Sequence, residues 1–151
     1  MATTNNFDII PQDIIDIINA CDPVTYGVLS SEDGKTIAIT TNFLDTRNDL
    51  IDVLLWKVND DIFLSDDCLI NNEFTLFFDE NKDNNIFELI HNSTMLFPIT
   101  QYFTNDPIFK ITGKQLLCKT NIKDLKQDYF YFCQSIITHL IVIHSILQIQ
   151  K

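Results

Sequence analysis

The chain has 151 residues, 46% of them hydrophobic, and a formal net charge of -11. This length and apolar content suit a single domain, residues 1–151, with one core. The negative charge disfavours direct binding to nucleic acid, whose phosphates would repel it.

The negative charge is concentrated in the first part of the chain. Residues 32–88 contain fourteen acidic and four basic residues, whereas residues 89–151 contain three acidic and six basic ones. The resulting net charge of -10 on residues 32–88 exceeds the magnitude of about 2 to 8 that solubility asks of a whole small domain. The pattern indicates an acidic surface that binds a partner. The simpler explanation is that the charge only keeps the protein soluble.

The opening segment and the cysteines indicate the compartment. MATTNNFDIIPQDII begins polar and turns acidic, unlike the basic and then apolar start of a secretory signal, so we expect no export by that route. Cys21, Cys68, Cys118 and Cys133 lie far apart without a C-x-x-C pair, which favours reduced core thiols over disulfides or a zinc site. We therefore expect a cytoplasmic protein.

The first half of the chain carries one helix signal and several strand signals. Asp8 precedes isoleucines at mostly helical spacing, which predicts a helix ending around Cys21 to Pro23. VTYGVLS and KTIAITT flank SEDG, whose Asp-Gly pair favours a hairpin turn. The apolar runs Leu50 to Val58 and Ile62 to Ser65 complete a predicted four-stranded antiparallel meander. The third run is apolar on both faces except for Asp52 and the terminal lysine, which predicts a strand covered on both sides, with this aspartate partly buried.

The second half begins with an ambiguous segment, because Leu69 to Phe78 fits a short helix and an extended strand equally well. Asn85 to Leu96 has helical spacing and is followed by Pro98. Ile108 to Ile111 and Gln115 to Lys119 predict a second hairpin, joined through Gly113.

The last predicted element is a long, very apolar helix from Lys123 to Gln148. Its longest apolar run, Ile136 to Ile149, contains polar residues and is shorter than the roughly 18 residues that span a membrane. We expect a buried core helix, with Leu140 and Ile141 in the core.

The order of these elements predicts an α+β domain. An antiparallel sheet, formed by the meander and the hairpin, packs against an N-terminal helix, a middle helix and the long apolar C-terminal helix. Secretion chaperones have a similar order of elements, but a shared fold does not carry a function.

One stretch resembles a known family. The run I-x-T-x-F-x-D-x-x-N-D-x-I-x-V from Ile39 to Val53, followed by F-L-S-D-D at Phe63 to Asp67, resembles the core of an uncharacterised bacterial and phage domain-of-unknown-function family, the one numbered 1828. The resemblance covers roughly residues 20 to 147 and includes the hairpin and the long helix. The family pattern continues L-x-D-D-G, whereas Cys68 follows the two aspartates here. The resemblance implies no reaction, and it implies a setting in phages and mobile elements, beside host defence or gene transfer.

An aspartate cluster could support metal chemistry at one end of the sheet. Carboxylate oxygens suit Mg²⁺, which assists phosphodiester cleavage in many enzymes. The aspartates in question are Asp45, Asp49, Asp52, Asp66 and Asp67. No E-x-K or D-x-K triplet of the nuclease type lies in the third or fourth strand, and turn and helix-capping roles explain the aspartates as well. We assign no catalytic residue, no metal ligand and no cofactor.

The remaining candidate residues favour structural roles. His139 and His144 are five positions apart, and Cys133 precedes the first by six, so no pair has the spacing of a metal site on a helix. We expect both histidines in the core or at its boundary. We also expect most of six aromatic residues in the core, with an exposed partner-binding patch as the alternative. These are Trp56, Phe77, Phe78, Phe97, Tyr102 and Phe103.

The sequence as a whole favours a binding protein without catalytic activity and leaves an enzyme open. An acidic face would imitate the phosphates of a nucleic acid and occupy a lysine- and arginine-lined groove of a partner. The residues predicted for this face are Asp45, Asp49, Asp60, Asp61, Asp66, Asp67, Asp79 and Glu80.

The expected partner is a host protein with a basic nucleic-acid-binding surface, such as a defence nuclease, and the expected activity is anti-CRISPR-like inhibition. We expect neither direct contact with nucleic acid nor a membrane, and the oligomeric state stays open, a dimer included. The alternatives are a metal-dependent phosphodiester-type enzyme that uses the aspartate cluster and a secretion-chaperone-like module that binds another protein.

Overall fold

The computed structural model describes residues 7–106, 111 and 113–150. Four helices and six strands form in these ranges. In chain order they are α1 (Gln12–Asn19), β1 (Thr25–Ser30), β2 (Ile37–Leu44), β3 (Leu50–Val58), β4 (Asp61–Ser65), α2 (Leu69–Phe77), α3 (Asn84–Ser93), β5 (Thr100–Thr104), β6 (Gln115–Thr120) and α4 (Leu125–Ile149).

The six strands form one antiparallel sheet in the order β1-β2-β3-β4-β6-β5. The first four strands are the predicted meander, with Ala38 opposite Leu54 and Leu54 opposite Ser65. The predicted α+β class is confirmed, and the predicted N-terminal, middle and C-terminal helices correspond to α1, α3 and α4. The undecided segment after β4 is the helix α2.

The second hairpin differs from the prediction. The strand β6 lies between β4 and β5, and its hairpin partner is β5, with Tyr102 opposite Leu117. The strand predicted from Ile108 to Ile111 falls on residues of which only Ile111 lies within the described ranges. The local apolar pattern favoured residues 108–111 as the partner of β6. In the sheet, β6 pairs instead with β5, which lies earlier in the chain.

The helices cover one face of the sheet and bury the main core there. Ile37, Ile39, Val53, Leu55 and Leu64 of the central strands are completely or almost completely buried in it. Their side chains alternate with outward-facing residues, as a strand covered on one face requires. The four cysteines are buried, as predicted, and no disulfide joins them.

The helix α4 is the central helix of this core. Its Tyr129 hydroxyl lies 2.9 Å from the Thr25 hydroxyl of β1, and Leu140 is 2% exposed. The prediction for Ile141 is wrong, because this residue is 58% exposed on the outer side of the helix. Neighbouring helix positions differ by about 100° in direction, so Leu140 faces the core whereas Ile141 faces away from it.

The opposite face of the sheet has a smaller apolar cluster. Trp56 is 2% exposed and packs with Phe7 and Leu117. The predicted cover on both sides of β3 is therefore confirmed at this end of the strand. It does not extend to Asp52, which is exposed, so the expected partial burial of this residue is wrong.

By length and composition alone, α4 is long and apolar enough to cross a membrane. This corrects the expectation that its apolar segment is too short to do so. The helix has 25 residues, and 39% of its most apolar window is buried inside the domain. Its buried residues include Phe132, Ile136 and Ile143. A core helix of this kind is compatible with a soluble protein.

Candidate functional site

The turn between β2 and β3 is shaped by an aspartate. The Asp45 carboxylate Oδ1 accepts hydrogen bonds from the backbone NH groups of Arg47 (2.8 Å) and Asp49 (3.0 Å). Asn48 completes the turn with φ 65, a left-handed conformation that asparagine tolerates. The turn role predicted for aspartates in this region is confirmed for Asp45.

Asp66 connects the end of β4 to α2 and β6. Its carboxylate accepts three backbone hydrogen bonds, from Cys68 (3.1 Å), Ile70 (3.0 Å) and Leu116 (2.8 Å). The residue is 1% exposed, and burial raises its pKa to about 6 against the opposing effect of these bonds. Its place in the predicted acidic face is therefore wrong, because the carboxylate is used inside the protein to begin a helix.

Asp52 of β3 lies beside Asp67, which follows the end of β4. Leu54 pairs with Ser65, so the antiparallel register places Asp52 level with Asp67, just beyond the end of β4. Partial desolvation and the negative charge of Asp52 both raise the pKa of Asp67, although this residue is exposed overall. Two carboxylates that repel each other form a local excess of negative charge.

Four aspartates therefore lie at one end of the sheet, where β2 and β4 end and β3 begins. They are Asp45, Asp49, Asp52 and Asp67, and we call them the acidic sheet end. Asp45 is half-buried, and the other three are exposed. In the described ranges none of them forms a salt bridge.

The predicted acidic face is thus not one surface. Asp60 lies in the turn between β3 and β4, and Asp61 is the first residue of β4, so both are at the opposite end of the sheet. Lysines partly neutralise that end, because Lys119 lies 3.6 Å from Asp61 and Lys57 lies 3.0 Å from Asp8.

The last two residues predicted for the acidic face occupy a third place, just after α2. The Asp79 carboxylate accepts hydrogen bonds from the backbone of Asn81 (2.8 Å) and Lys82 (3.0 Å). Glu80 accepts a hydrogen bond from Asn71 at 2.8 Å. Both side chains are exposed and stabilise the loop before α3.

A groove runs between the β2–β3 turn and α2. It consists of two adjoining cavities of about 200 Å³ and 140 Å³ that share Asp45, Leu69 and Asn72. The larger cavity is further lined by Leu50, Ile51, Asp52, Asp66 and Asp67. The smaller cavity is further lined by Thr46, Arg47, Glu73, Leu76 and Leu140. We call this feature the turn–α2 groove.

Glu73 ties the turn to the two helices beside it. It is 5% exposed and accepts hydrogen bonds from the Thr46 hydroxyl, from Arg47 Nη2 at 3.2 Å and from His144 Nε2 at 2.8 Å. Burial alone would raise the pKa of Glu73, but the bonds from Thr46 and His144 and the Arg47 charge outweigh it and lower the pKa. The buried carboxylate thus stays charged and holds the turn in place.

A second polar cluster lies in the core between α3 and α4. His139 is fully buried, and its Nδ1 lies 2.7 Å from the Ser135 carbonyl, which requires a proton on Nδ1. Its Nε2 therefore accepts from His91 Nδ1 at 3.1 Å, and the Thr94 hydroxyl, which donates to the His91 carbonyl at 2.7 Å, lies 3.0 Å from the same nitrogen. Burial lowers the pKa of His139 to about 4.

The structure thus places the predicted histidines at the core and at its boundary, as expected. His139 is fully buried, and His144 is half-buried beside Glu73. Of the six aromatic residues only Trp56 and Phe78 are buried, so the prediction that most of them lie in the core is wrong. Phe77 is exposed on α2, Phe97 is half-buried in the connection after α3, and Tyr102 and Phe103 belong to the edge strand β5, where Phe103 packs partly buried against the core.

The arrangement of the aspartates does not form a metal centre within the described ranges, where no group of three or more His, Cys, Asp or Glu side chains could hold an ion. Asp66 is also poorly placed for such a role, because it is 1% exposed and backbone NH groups occupy three of its about four lone-pair sites. What the site offers chemically is negative charge without salt-bridge partners in the described ranges, beside a cavity of mixed lining that contains three leucines.

No protein-family model matches the chain, and no curated protein and no solved structure is significantly similar to it. The family resemblance of the stretch from Ile39 to Asp67 therefore stays a prediction.

Sequence reasoning missed Glu73 and the apolar wall of the groove. Glu73 is the only acidic residue in the apolar helix LINNEFTLF, which is a signal that its carboxylate meets partners in the fold. The partners Thr46 and His144 are far away in sequence, and no local pattern points to them.

Proposed function

We propose that this chain is a binding protein without catalytic activity, which engages the basic, nucleic-acid-binding surface of another protein through the acidic sheet end. The observation that carries the proposal is the group Asp45, Asp49, Asp52 and Asp67, which has no salt bridge in the described part of the chain. Carboxylates without cationic partners attract lysine and arginine side chains at long range.

Carboxylates can replace phosphates because both groups accept paired hydrogen bonds from an arginine guanidinium. A surface that normally binds nucleic acid would then be occupied by this protein and inhibited. The opposite end of the sheet suits this role less well, since Lys57 and Lys119 neutralise part of its charge.

The biological setting of the proposal is a phage or mobile element whose product acts in the host cytoplasm against a defence nuclease or a CRISPR complex. The resemblance of residues 39–67 to the phage and bacterial family supports this setting, and the acidic composition supports a basic partner. A membrane and direct nucleic-acid binding have no part in it.

Deca-arginine serves as a probe for a guanidinium-rich surface. One variant carries Asp49→Asn, Asp52→Asn and Asp67→Asn, and its control removes the same charge elsewhere, through Asp13→Asn, Glu32→Gln and Asp60→Asn. All six side chains are exposed, so neither variant disturbs the core. Binding is measured by calorimetry while the salt concentration rises from about 50 to 300 mM.

The proposal expects the first variant to bind about tenfold more weakly at low salt and the control to change by less than about threefold. A short single-stranded oligonucleotide should compete with the protein for the peptide. Equal effects of the two variants, or binding that does not respond to salt, would overturn the proposal.

A further inference from the structure

The turn–α2 groove differs in chemistry from one end to the other. The larger cavity has the carboxylates of Asp45, Asp52 and Asp67 in its lining. The smaller cavity shares Asp45 and Leu69 with it but adds Leu76 and Leu140 in place of the two exposed aspartates, and its second carboxylate, Glu73, is already engaged. Leu76 is 56% exposed, so the apolar wall is open to a partner.

We propose that this groove binds a segment of the partner in which a lysine or arginine is followed closely by a large aliphatic side chain. The cation enters the larger cavity, and the aliphatic side chain enters the smaller one. This inference rests on the proposed function, because it names the segment that the acidic sheet end would recognise.

The carboxylate end requires a cation for a physical reason. Asp52 and Asp67 repel each other. Partial desolvation and this repulsion raise the pKa of Asp67. A positive group placed between the two would remove the repulsion and gain two attractive contacts. The remaining carboxylate of the lining, Asp66, cannot compete for the cation because backbone NH groups already occupy its oxygens.

The leucine end offers a second cation little net attraction. Arg47 stands at its rim with a 60% exposed side chain and pairs with Glu73 at 3.2 Å, so these two charges largely compensate each other. Glu73 offers no free charge there, since Thr46, Arg47 and His144 already bind its two oxygens. A cavity of about 140 Å³ with three leucines in its wall suits a leucine or isoleucine side chain.

The groove therefore selects both the composition of the bound segment and the order of its side chains. Both cavities share Asp45, Leu69 and Asn72, so the two bound side chains lie close together in the segment. A basic segment without an aliphatic residue would fill only half of the groove. Long-range charge would still attract it, but it would dissociate faster.

The test uses two synthetic peptides with the same arginines, one with leucine and the other with serine between them. The variant Asn72→Trp fills the groove without removing a carboxylate, because Asn72 is exposed and lines both cavities. Asn92→Trp is the matched control, since Asn92 is exposed on α3 and lines neither cavity. Leu76→Ser is a second variant that opens the apolar wall at an exposed position.

Wild-type protein should bind the leucine peptide about tenfold more tightly than the serine peptide, as expected for one buried aliphatic side chain. Asn72→Trp and Leu76→Ser should both lose this preference, and Asn92→Trp should keep it. Binding of deca-arginine by Asn92→Trp should stay within about threefold of wild type, because this residue lines neither cavity and all carboxylates remain.

Two results would overturn the inference: equal binding of the two peptides by the wild type, or a preference for leucine that survives in Asn72→Trp. If these results appear while deca-arginine still depends on the acidic sheet end, the groove is wrong and the proposed function stands. If deca-arginine does not depend on that end, the proposed function itself fails.

Discussion

Nε2 of His144 lies 2.8 Å from Oε2 of Glu73, although the two residues belong to different helices and are 71 positions apart. The same carboxylate holds Thr46 and Arg47, so α2, α4 and the β2–β3 turn meet at one side chain. The position of Asp45 and Asp49 therefore depends on a residue that does not itself face the solvent.

Glu73→Gln should loosen this turn. The amide keeps one acceptor but turns an NH₂ group towards its donors and loses the charge that attracts Arg47, at a cost of about 1 to 3 kcal/mol. Hydrogen exchange of the Asn48 and Asp49 amides should become faster, and the increase should exceed the one expected from the lower global stability alone. Glu88→Gln, at an exposed position of α3, should change the free energy of unfolding by less than about 0.5 kcal/mol. Unchanged exchange in the turn would show that Glu73 does not position it.

The two adjacent aspartates after β4 should respond differently to the same substitution. Asp66→Asn should cost about 1 to 3 kcal/mol, because both carboxylate oxygens accept backbone hydrogen bonds and asparagine has only one oxygen. Asp67→Asn should change stability by less than about 0.5 kcal/mol, because its side chain is exposed and repelled by Asp52. Urea unfolding at neutral pH measures both. Similar costs at the two positions would contradict the capping role of Asp66.

Cys68 adopts a left-handed backbone conformation with φ 64, at the position where the resembled family pattern has glycine. This conformation costs an L-residue about 1 to 2 kcal/mol of stability, and glycine avoids that cost. Glycine also makes the unfolded chain more flexible, which offsets part of the gain. Cys68→Gly should therefore be about 0.5 to 1 kcal/mol more stable than Cys68→Ala, which lacks the same sulfur contact but keeps Cβ. Thermal melts of the two variants decide the point, and a more stable alanine variant would refute it.

His139 should make stability fall as the solution is acidified. In the unfolded chain its pKa is about 6.5, whereas the folded protein takes up this proton only near pH 4. The contribution of the neutral imidazole is complete above about pH 6.5 and is lost as the pH falls to about 4, a total of about 3 kcal/mol.

The comparison with His139→Asn isolates this contribution. The free energy of unfolding of the wild type should approach that of the variant as the pH falls from 7 to about 4.5. Asp66 acts in the opposite direction, since its raised pKa favours the folded state at low pH, but it is present in both proteins and cancels. Parallel curves for the two proteins would show that His139 does not titrate in this range.

Adjacent positions of α4 should differ sharply in their contribution to stability. Leu140→Ala should cost about 2 to 5 kcal/mol, because the side chain is 2% exposed and its removal leaves a cavity. Ile141→Ala should cost less than about 0.5 kcal/mol, because that side chain is 58% exposed. Denaturant unfolding of the pair tests whether α4 packs with the face described above, and equal losses would contradict it.

The meander and the long last helix could be predicted from the sequence because their signals are local. The Asp-Gly turn before β2 and the length of the apolar pattern in α4 each lie within one segment. The strand β5 could not be found in this way, because its pairing with β6 leaves an insertion between them and a nearer apolar run competed for the same place.

The division of the predicted acidic face follows from the meander itself. Successive turns of an antiparallel meander lie at opposite ends of the sheet, so the turn with Asp60 cannot lie beside the turn with Asp45. The burial of Asp66 and the partners of Glu73 could not be derived, because both depend on how α2 packs against β6 and α4.

Trp56 is the one tryptophan of the chain, and it lies on the sheet face away from α4, with the Phe7 ring 6.1 Å from its own. Its emission spectrum therefore reports whether the apolar cover of that face is intact, while the turn–α2 groove lies outside its immediate surroundings. Tryptophan fluorescence can follow unfolding, without interference from peptide binding, in every variant above that does not itself introduce a tryptophan. The native chain thus carries its own optical probe of folding.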